Sequence, residues 1–211
     1  MSNKIERETD EIIERSFYEK YQDRVGWFVK GTNKDLLHNN SKELLKVLKE
    51  NNILVNKENF KLLEIGAGGC RNLKYILDEY PKIKFYANDL HQAVSFKNMH
   101  ESIKKVIRFY KGKTQDVIKE FSSNSINLLI DSNHLVHVNY TDTNKILDYI
   151  NNTMKPNYFL VRSITIDVPM KKGCPYHKHN FNEKLTNYKE IFYKLSDNDK
   201  RWYIKIFKLN I

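Results

Sequence analysis

The chain has 211 residues, 40% hydrophobic and 29% charged, enough for one domain with one sizeable core and at most a small cap. No stretch approaches the ~20 consecutive apolar residues of a membrane span. The N-terminal stretch from Met1 to Phe17 carries five acids and no long apolar run, unlike a secretory signal. Two cysteines, Cys70 and Cys174, make neither a disulfide framework nor a four-cysteine zinc site, so a reduced, cytoplasmic protein without a membrane partner is expected.

The net charge of +10 invites a nucleic-acid reading, but 29 of the 36 basic residues are Lys and another 24 residues are Asn. The lysines are spread along the chain without an Arg cluster, whereas nucleic-acid readers concentrate basic groups on one face or use Arg forks. The basicity favours anionic partners in general and argues against nucleic acid as the partner.

In chain order, residues 5–22 place Ile5, Ile12, Ile13, Phe17 and Tyr21 at near-helical spacing, and Gly26 and Gly31 then break the pattern. Ser41 is expected to cap a helix through Leu44, Leu45, Val47 and Leu48 that ends at Asn51-Asn52. From residue 60 the period changes. Phe60–Ile65 reads as a buried strand closed by Gly66, Arg71–Tyr80 as a helix stopped by Pro81, and Ile83–Ala87 as the next strand. A helix over about 91–107, a strand at Arg108–Tyr110, a short helix near 115–121, a strand at Ile126–Ile130, a helix over 143–153 and a strand at Tyr158–Val161 follow. This alternation predicts an α/β fold with a mostly parallel sheet. The arms Glu190–Leu195 and Arg201–Leu209 crowd aromatic and β-branched residues around a Ser-Asp-Asn-Asp centre, which predicts a C-terminal antiparallel hairpin; the first arm could instead continue a helix from 183. We read residues 1–52 as an N-terminal helical extension and 53–211 as the main domain.

The most informative stretch is Leu62-Leu-Glu-Ile-Gly-Ala-Gly-Gly-Cys-Arg71: a buried strand, a glycine turn and a helix opening directly after it. Such a turn lets a ligand approach the backbone and offers it free N–H groups, a design that serves both NAD and S-adenosylmethionine. The dinucleotide fingerprint requires glycine where Arg71 stands, and the acid Glu64 before the first glycine suits a ligand with a cationic amino-acid end better than a pyrophosphate. Asp89 closes the second strand 23 residues after Gly66, where an acid can accept hydrogen bonds from a ribose diol; alone it could equally cap the next helix.

Glu-Ile-Gly-Ala-Gly-Gly at 64–69, Asn-Asp-Leu at 88–90, Ile-Asn-Leu-Leu-Ile-Asp-Ser-Asn-His-Leu-Val-His at 126–137 and Met-Lys-Pro-Asn at 154–157 resemble successive motifs of class I S-adenosylmethionine-dependent methyltransferases. The resemblance spans residues 60 to about 165 and implies a Rossmann-like seven-stranded sheet of order 3-2-1-4-5-7-6. It implies S-adenosylmethionine as cofactor, with Glu64, Gly66, Ala67 and Gly68 at its methionine end, Asp89 and Leu90 at its ribose, and Asp131 beside it. The adenine contact departs from the family, with Lys113 where an acid is usual; Thr114 and Gln115, or Asp116 in a shifted register, take its place. The family's final loop glycine is also missing, with Cys70 and Arg71 after Gly69.

The stretch after the fourth strand lacks the Asn/Asp-Pro-Pro-Tyr motif of adenine and glutamine N-methylation. It resembles the small-molecule branch, and His137 matches that branch's histidine. A neutral imidazole can deprotonate a hydroxyl at physiological pH, so His137 is the expected general base for O-methylation of a small-molecule or glycan-linked acceptor. His134 is a weaker candidate for acceptor contact. His177 and His179 flank one residue in Cys174-Pro-Tyr-His-Lys-His-Asn180 and could point the same way; an acceptor-binding loop, an ordinary polar loop, or a metal site with Cys174 and Asp167 are the readings open there, and no metal is our expectation. Tyr18, Tyr21, Arg24, Trp27 and Phe28 make the N-terminal segment dense in aromatics; it packs onto the sheet or closes over the acceptor, with Tyr21, Arg24 and Trp27 as acceptor contacts and Arg24 suited to an acidic group. An RNA methyltransferase and a non-catalytic cofactor-binding protein are the competing functions.

Overall fold

In the computed structural model the described residues are 34–90, 104–165 and 177–210. The expectations for Tyr21, Arg24, Trp27, the rest of the N-terminal segment to residue 33, Asp167 and Cys174 fall outside them, as does most of the 91–107 helix.

Seven strands form one sheet in the order β3-β2-β1-β4-β5-β7-β6, the order the motifs imply. The central strand β1 (Lys61–Ile65) lies between β2 (Lys84–Asp89) and β4 (Leu128–Ser132), both parallel to it. β3 (Ile107–Lys111) extends the parallel set on one side and β5 (Tyr158–Ile164) on the other. β7 (Trp202–Leu209) then runs antiparallel to β5 and β6 (Tyr188–Leu195) antiparallel to β7, so the C-terminal hairpin is present. A helix continuing from 183 is confined to one turn, Phe181–Lys184.

β1 and β4 read as continuous apolar runs because both their faces are covered. Leu62, Leu128, Ile130 and Leu160 pack on one face with α1 (Lys34–Glu50) and α2 (Arg71–Glu79), and Leu63, Leu129, Phe159 and Val161 on the other with α3 (Thr114–Val117) and α4 (Tyr140–Tyr149). None of the described helices is long and apolar enough to cross a membrane.

Several sequence boundaries need correction, among them the fifth strand, which runs past the expected Val161 through Arg162 to Ile164 because β7 pairs with it over that length. Ser41 does not cap α1, which begins at Lys34; buried within that helix, its hydroxyl donates to Asn72 Oδ1 at 2.7 Å. The fourth strand begins at Leu128 rather than Ile126 and continues through Asp131 and Ser132. Those two polar residues read as loop in the sequence, yet the sheet ladder continues to Arg162 of β5. The helix expected over 143–153 starts at Tyr140, because Asn139 Oδ1 accepts the Asp142 N–H at 2.9 Å as an N-cap, and its last turn widens to a π-helical one over Ile150–Met154.

Candidate functional site

The C-terminal ends of β1, β2 and β4 meet at the glycine turn, the edge at which open α/β sheets bind ligands. Gly66, Gly68 and Cys70 all take left-handed backbone conformations, with φ of 60°, 49° and 51°. The turn thus alternates left-handed residues, and Cys70 itself adopts the conformation for which glycine is the usual choice. A Cβ on Gly66 would lie 2.2 Å from the His134 ring and its Cβ, whereas a Cβ on Gly68 would meet nothing within 4 Å. Gly66 is therefore fixed by packing, and Gly68 faces the open space a ligand needs. Asp89 at the end of β2 holds the turn directly, its Oδ2 accepting the Gly68 N–H at 2.8 Å.

Behind the turn the fold buries acids. Glu64 and Asp131 are 2% and 0% exposed, and Glu64 Oε2 and Asp131 Oδ2 have no hydrogen-bond partner. The other Glu64 oxygen accepts the Asn72 amide at 2.6 Å, and Asn72 in turn accepts from Ser41, so a polar relay runs from α1 through α2 to β1. Asp131 Oδ1 accepts the N–H groups of His134 and Leu135 at 3.0 and 3.1 Å. Burial raises the Glu64 carboxyl to about 8; the Asn72 amide opposes this, while the charges of Asp131 and Asp89 add to it. Burial likewise raises Asp131 to about 7 against its two backbone hydrogen bonds. Glu64 and Asp131, each with an unused oxygen, and Asp89, whose charge also bears on Glu64, make an acidic cradle that suits a cation and not a pyrophosphate.

Thr114 and His134 turn inward. The Thr114 hydroxyl donates to Asn88 Oδ1 at 2.8 Å, while the Asn88 amide donates to the Tyr110 and Gly112 carbonyls. With its one proton so used, Thr114 Oγ1 accepts from His134 Nε2 at 2.8 Å, which fixes the Nε2–H tautomer of His134. Burial also lowers the His134 pKa, keeping the ring neutral. This network locks β2, α3 and the turn after β4 together over Gly66. Gln115 is half-buried on α3, and Leu90 is half-buried just past β2.

His137 is half-buried on the 3₁₀ turn Leu135–His137 that follows β4, its N–H bonded to the His134 carbonyl at 2.9 Å. His177 comes alongside: its N–H donates to the Val136 carbonyl at 2.7 Å. Tyr140 packs edge-on against both His177 and His179, with ring centroids 5.0 and 5.2 Å apart. His179 is buried and its Nε2 donates to the Leu135 carbonyl at 2.8 Å, so that nitrogen is committed within the fold. Among the described residues no three His, Cys, Asp or Glu side chains converge as a metal site.

Sequence reasoning missed Asn72, Asn88 and Asn133, and also Arg162. Asn88 and Asn133 stand inside the quoted motifs without a role of their own there, and each of the four acquires its partner from another element.

No family model matches the chain, and no curated protein matches it in sequence. Solved structures do match it in shape. It is similar to the Burkholderia thailandensis 1,6-didemethyltoxoflavin-N1-methyltransferase, solved with bound 1,6-didemethyltoxoflavin and S-adenosylhomocysteine, at TM-score 0.70 and 14% identity over 97% of this chain and 90% of that one. It is similar to the mitomycin 7-O-methyltransferase at TM-score 0.65 and 13% identity over 94% of this chain. It also resembles human N-acetylserotonin methyltransferase in complex with S-adenosylmethionine, at TM-score 0.57 and 15% identity over 82% of this chain. The fold is that of the class I methyltransferases. The chain spans 60% and 52% of the latter two proteins' lengths.

Proposed function

We propose that this protein is a cytoplasmic S-adenosylmethionine-dependent methyltransferase acting on a hydroxyl of a small molecule or glycan precursor. The observation that carries this reading is the glycine turn at the C-terminal edge of β1, where Gly68 faces open space and its N–H is held by Asp89, with buried Glu64 and Asp131 each keeping an unused oxygen at the ends of β1 and β4. A ligand with an ammonium group and a sulfonium suits that cradle, and a dinucleotide does not. When bound, the cofactor supplies an electrophilic methyl group. Glu64, Gly66, Ala67 and Gly68 hold its amino-acid end, Asp89 accepts from the ribose hydroxyls, and Leu90 and Gln115 face the adenine side. Thr114 supports that side from beneath through Asn88 and His134.

His137 accepts the proton of the acceptor hydroxyl, which raises the oxygen's nucleophilicity as its bond to carbon forms. His134 orients the turn that carries His137. His177 and His179, tied to that turn through Val136 and Leu135, border the acceptor.

The test follows methyl transfer from labelled S-adenosylmethionine to a panel of hydroxylated and aminated small molecules. The His137→Ala variant should lose about 10²–10⁴-fold in rate on the hydroxylated acceptor while keeping its affinity for S-adenosylhomocysteine. Transfer to an amine that survives His137→Ala would instead establish N-methylation, the chemistry named for the toxoflavin enzyme.

A further inference from the structure

Arg162 of β5 is 2% exposed. A buried guanidinium is costly unless its donors and its charge are met, yet its Nε has no hydrogen-bond partner, and no carboxylate lies within ion-pair distance among the described residues. The two acids whose charges reach it, Glu43 and Asp199, are engaged elsewhere. Glu43 accepts from Ser196 Oγ, the Asp197 N–H and the Asn198 amide, and Asp199 accepts from Arg201. Two groups hold the guanidinium in place. Asn133 Oδ1 accepts from Nη1 at 3.0 Å, and the Trp202 ring stacks on the guanidinium at 5.1 Å. Asn133 is itself fixed, with a φ of 67° and its N–H bonded to the Arg162 carbonyl. What remains is the Nε side of the fork, the edge that pairs bidentately with an oxyanion.

The position relates this edge to the cofactor cradle. Arg162 pairs with Ser132, one residue beyond the Asp131 that pairs with Ile65, so it lies level with Gly66. Two interstrand spacings, about 10 Å, separate them. Leu160 and Leu62 share the α1–α2 face of the sheet, and the period of two puts Arg162 and Glu64 on that same face. An acceptor about 10 Å long would reach from Arg162 to the glycine turn.

We propose that Arg162, positioned by Asn133 and Trp202, binds a carboxylate or phosphate group of the methyl acceptor, making the substrate an anionic small molecule. This deepens the methyltransferase reading and rests on it.

Calorimetry of the protein loaded with S-adenosylhomocysteine, titrated with benzoate, phenyl phosphate and neutral benzyl alcohol, tests it. At least one anion should bind the wild type, and which one does assigns the oxyanion as carboxylate or phosphate. Arg162→Gln should weaken that binding by about tenfold or more while affinity for S-adenosylhomocysteine stays within about twofold and benzyl alcohol is unaffected. Arg162→Lys, which keeps the charge and loses the fork, should show the same direction and serves if the Gln variant does not fold. Anion binding unchanged in the variants, or neither anion binding the wild type, overturns the proposal. If the wild type fails to bind S-adenosylhomocysteine, the methyltransferase reading fails by itself, and the anion titrations on the unloaded protein still report on Arg162.

Discussion

Asp89 holds the Gly68 N–H, and in the proposed function it also offers the ribose an acceptor. Asp89→Ala should therefore weaken S-adenosylhomocysteine binding by about 1–3 kcal/mol, read by calorimetry; unchanged affinity would remove Asp89 from the site. Thr114→Val leaves Asn88 Oδ1 and the His134 Nε2–H unpaired in the interior, and should cost about 1–3 kcal/mol of stability in urea unfolding. The buried carboxyl of Glu64 sets a pH dependence. Its pKa is about 8 in the fold against an ordinary 4.5, so between those values the folded chain holds a proton that the unfolded chain has released. Its contribution to stability is complete below about 4.5 and declines as pH rises through about 8. A bound cation favours the ionised carboxyl, so cofactor binding near neutral pH should release protons and tighten as pH rises. Calorimetry in two buffers of different ionisation enthalpy measures that release, and binding without it would contradict the cradle. At this scale Gly66, Gly68 and Asp89 were legible because turn and strand-end chemistry is local. Asn72, Asn88 and Arg162 were not, because their partners Glu64, Thr114 and Asn133 come from other elements.

The elements that carry the site are positioned by small polar devices as much as by apolar packing. Asn139 caps α4 and its amide also reaches Asp142 Oδ2 at 3.2 Å, so Asn139→Ala should cost about 1 kcal/mol, measured by denaturant unfolding. The strands were readable because buried parallel strands are runs of Leu, Ile and Phe, but their ends were not. Asp131 and Ser132 look like loop until β5 supplies a ladder partner for them. The start of α1 was hidden in the same way. The polar segment before Ser41 has low helix propensity, and the helix gains from burying Leu44 and Leu48 against α2 and the sheet and from Glu43 binding the β6–β7 turn, contacts that a local reading does not contain.

For the whole molecule, the strand order came from the resemblance to class I methyltransferases, which implies 3-2-1-4-5-7-6, and the sheet has that order with the hairpin completing it. The net charge of +10 belongs to the chain as a whole, while the glycine-turn cradle is acidic, and this contrast separates the general basicity from the chemistry of the candidate site. An RNA acceptor would show binding that falls steeply with salt; a small anionic acceptor held at Arg162 and a cofactor held at Glu64 predict a much shallower dependence. The most direct test of the account is calorimetric titration of the wild-type protein with S-adenosylhomocysteine and, separately, with NAD. The cradle of Glu64, Gly68, Asp89 and Asp131 predicts saturable binding of S-adenosylhomocysteine and none of NAD. Binding of NAD alone would make the glycine turn a dinucleotide site and contradict the account.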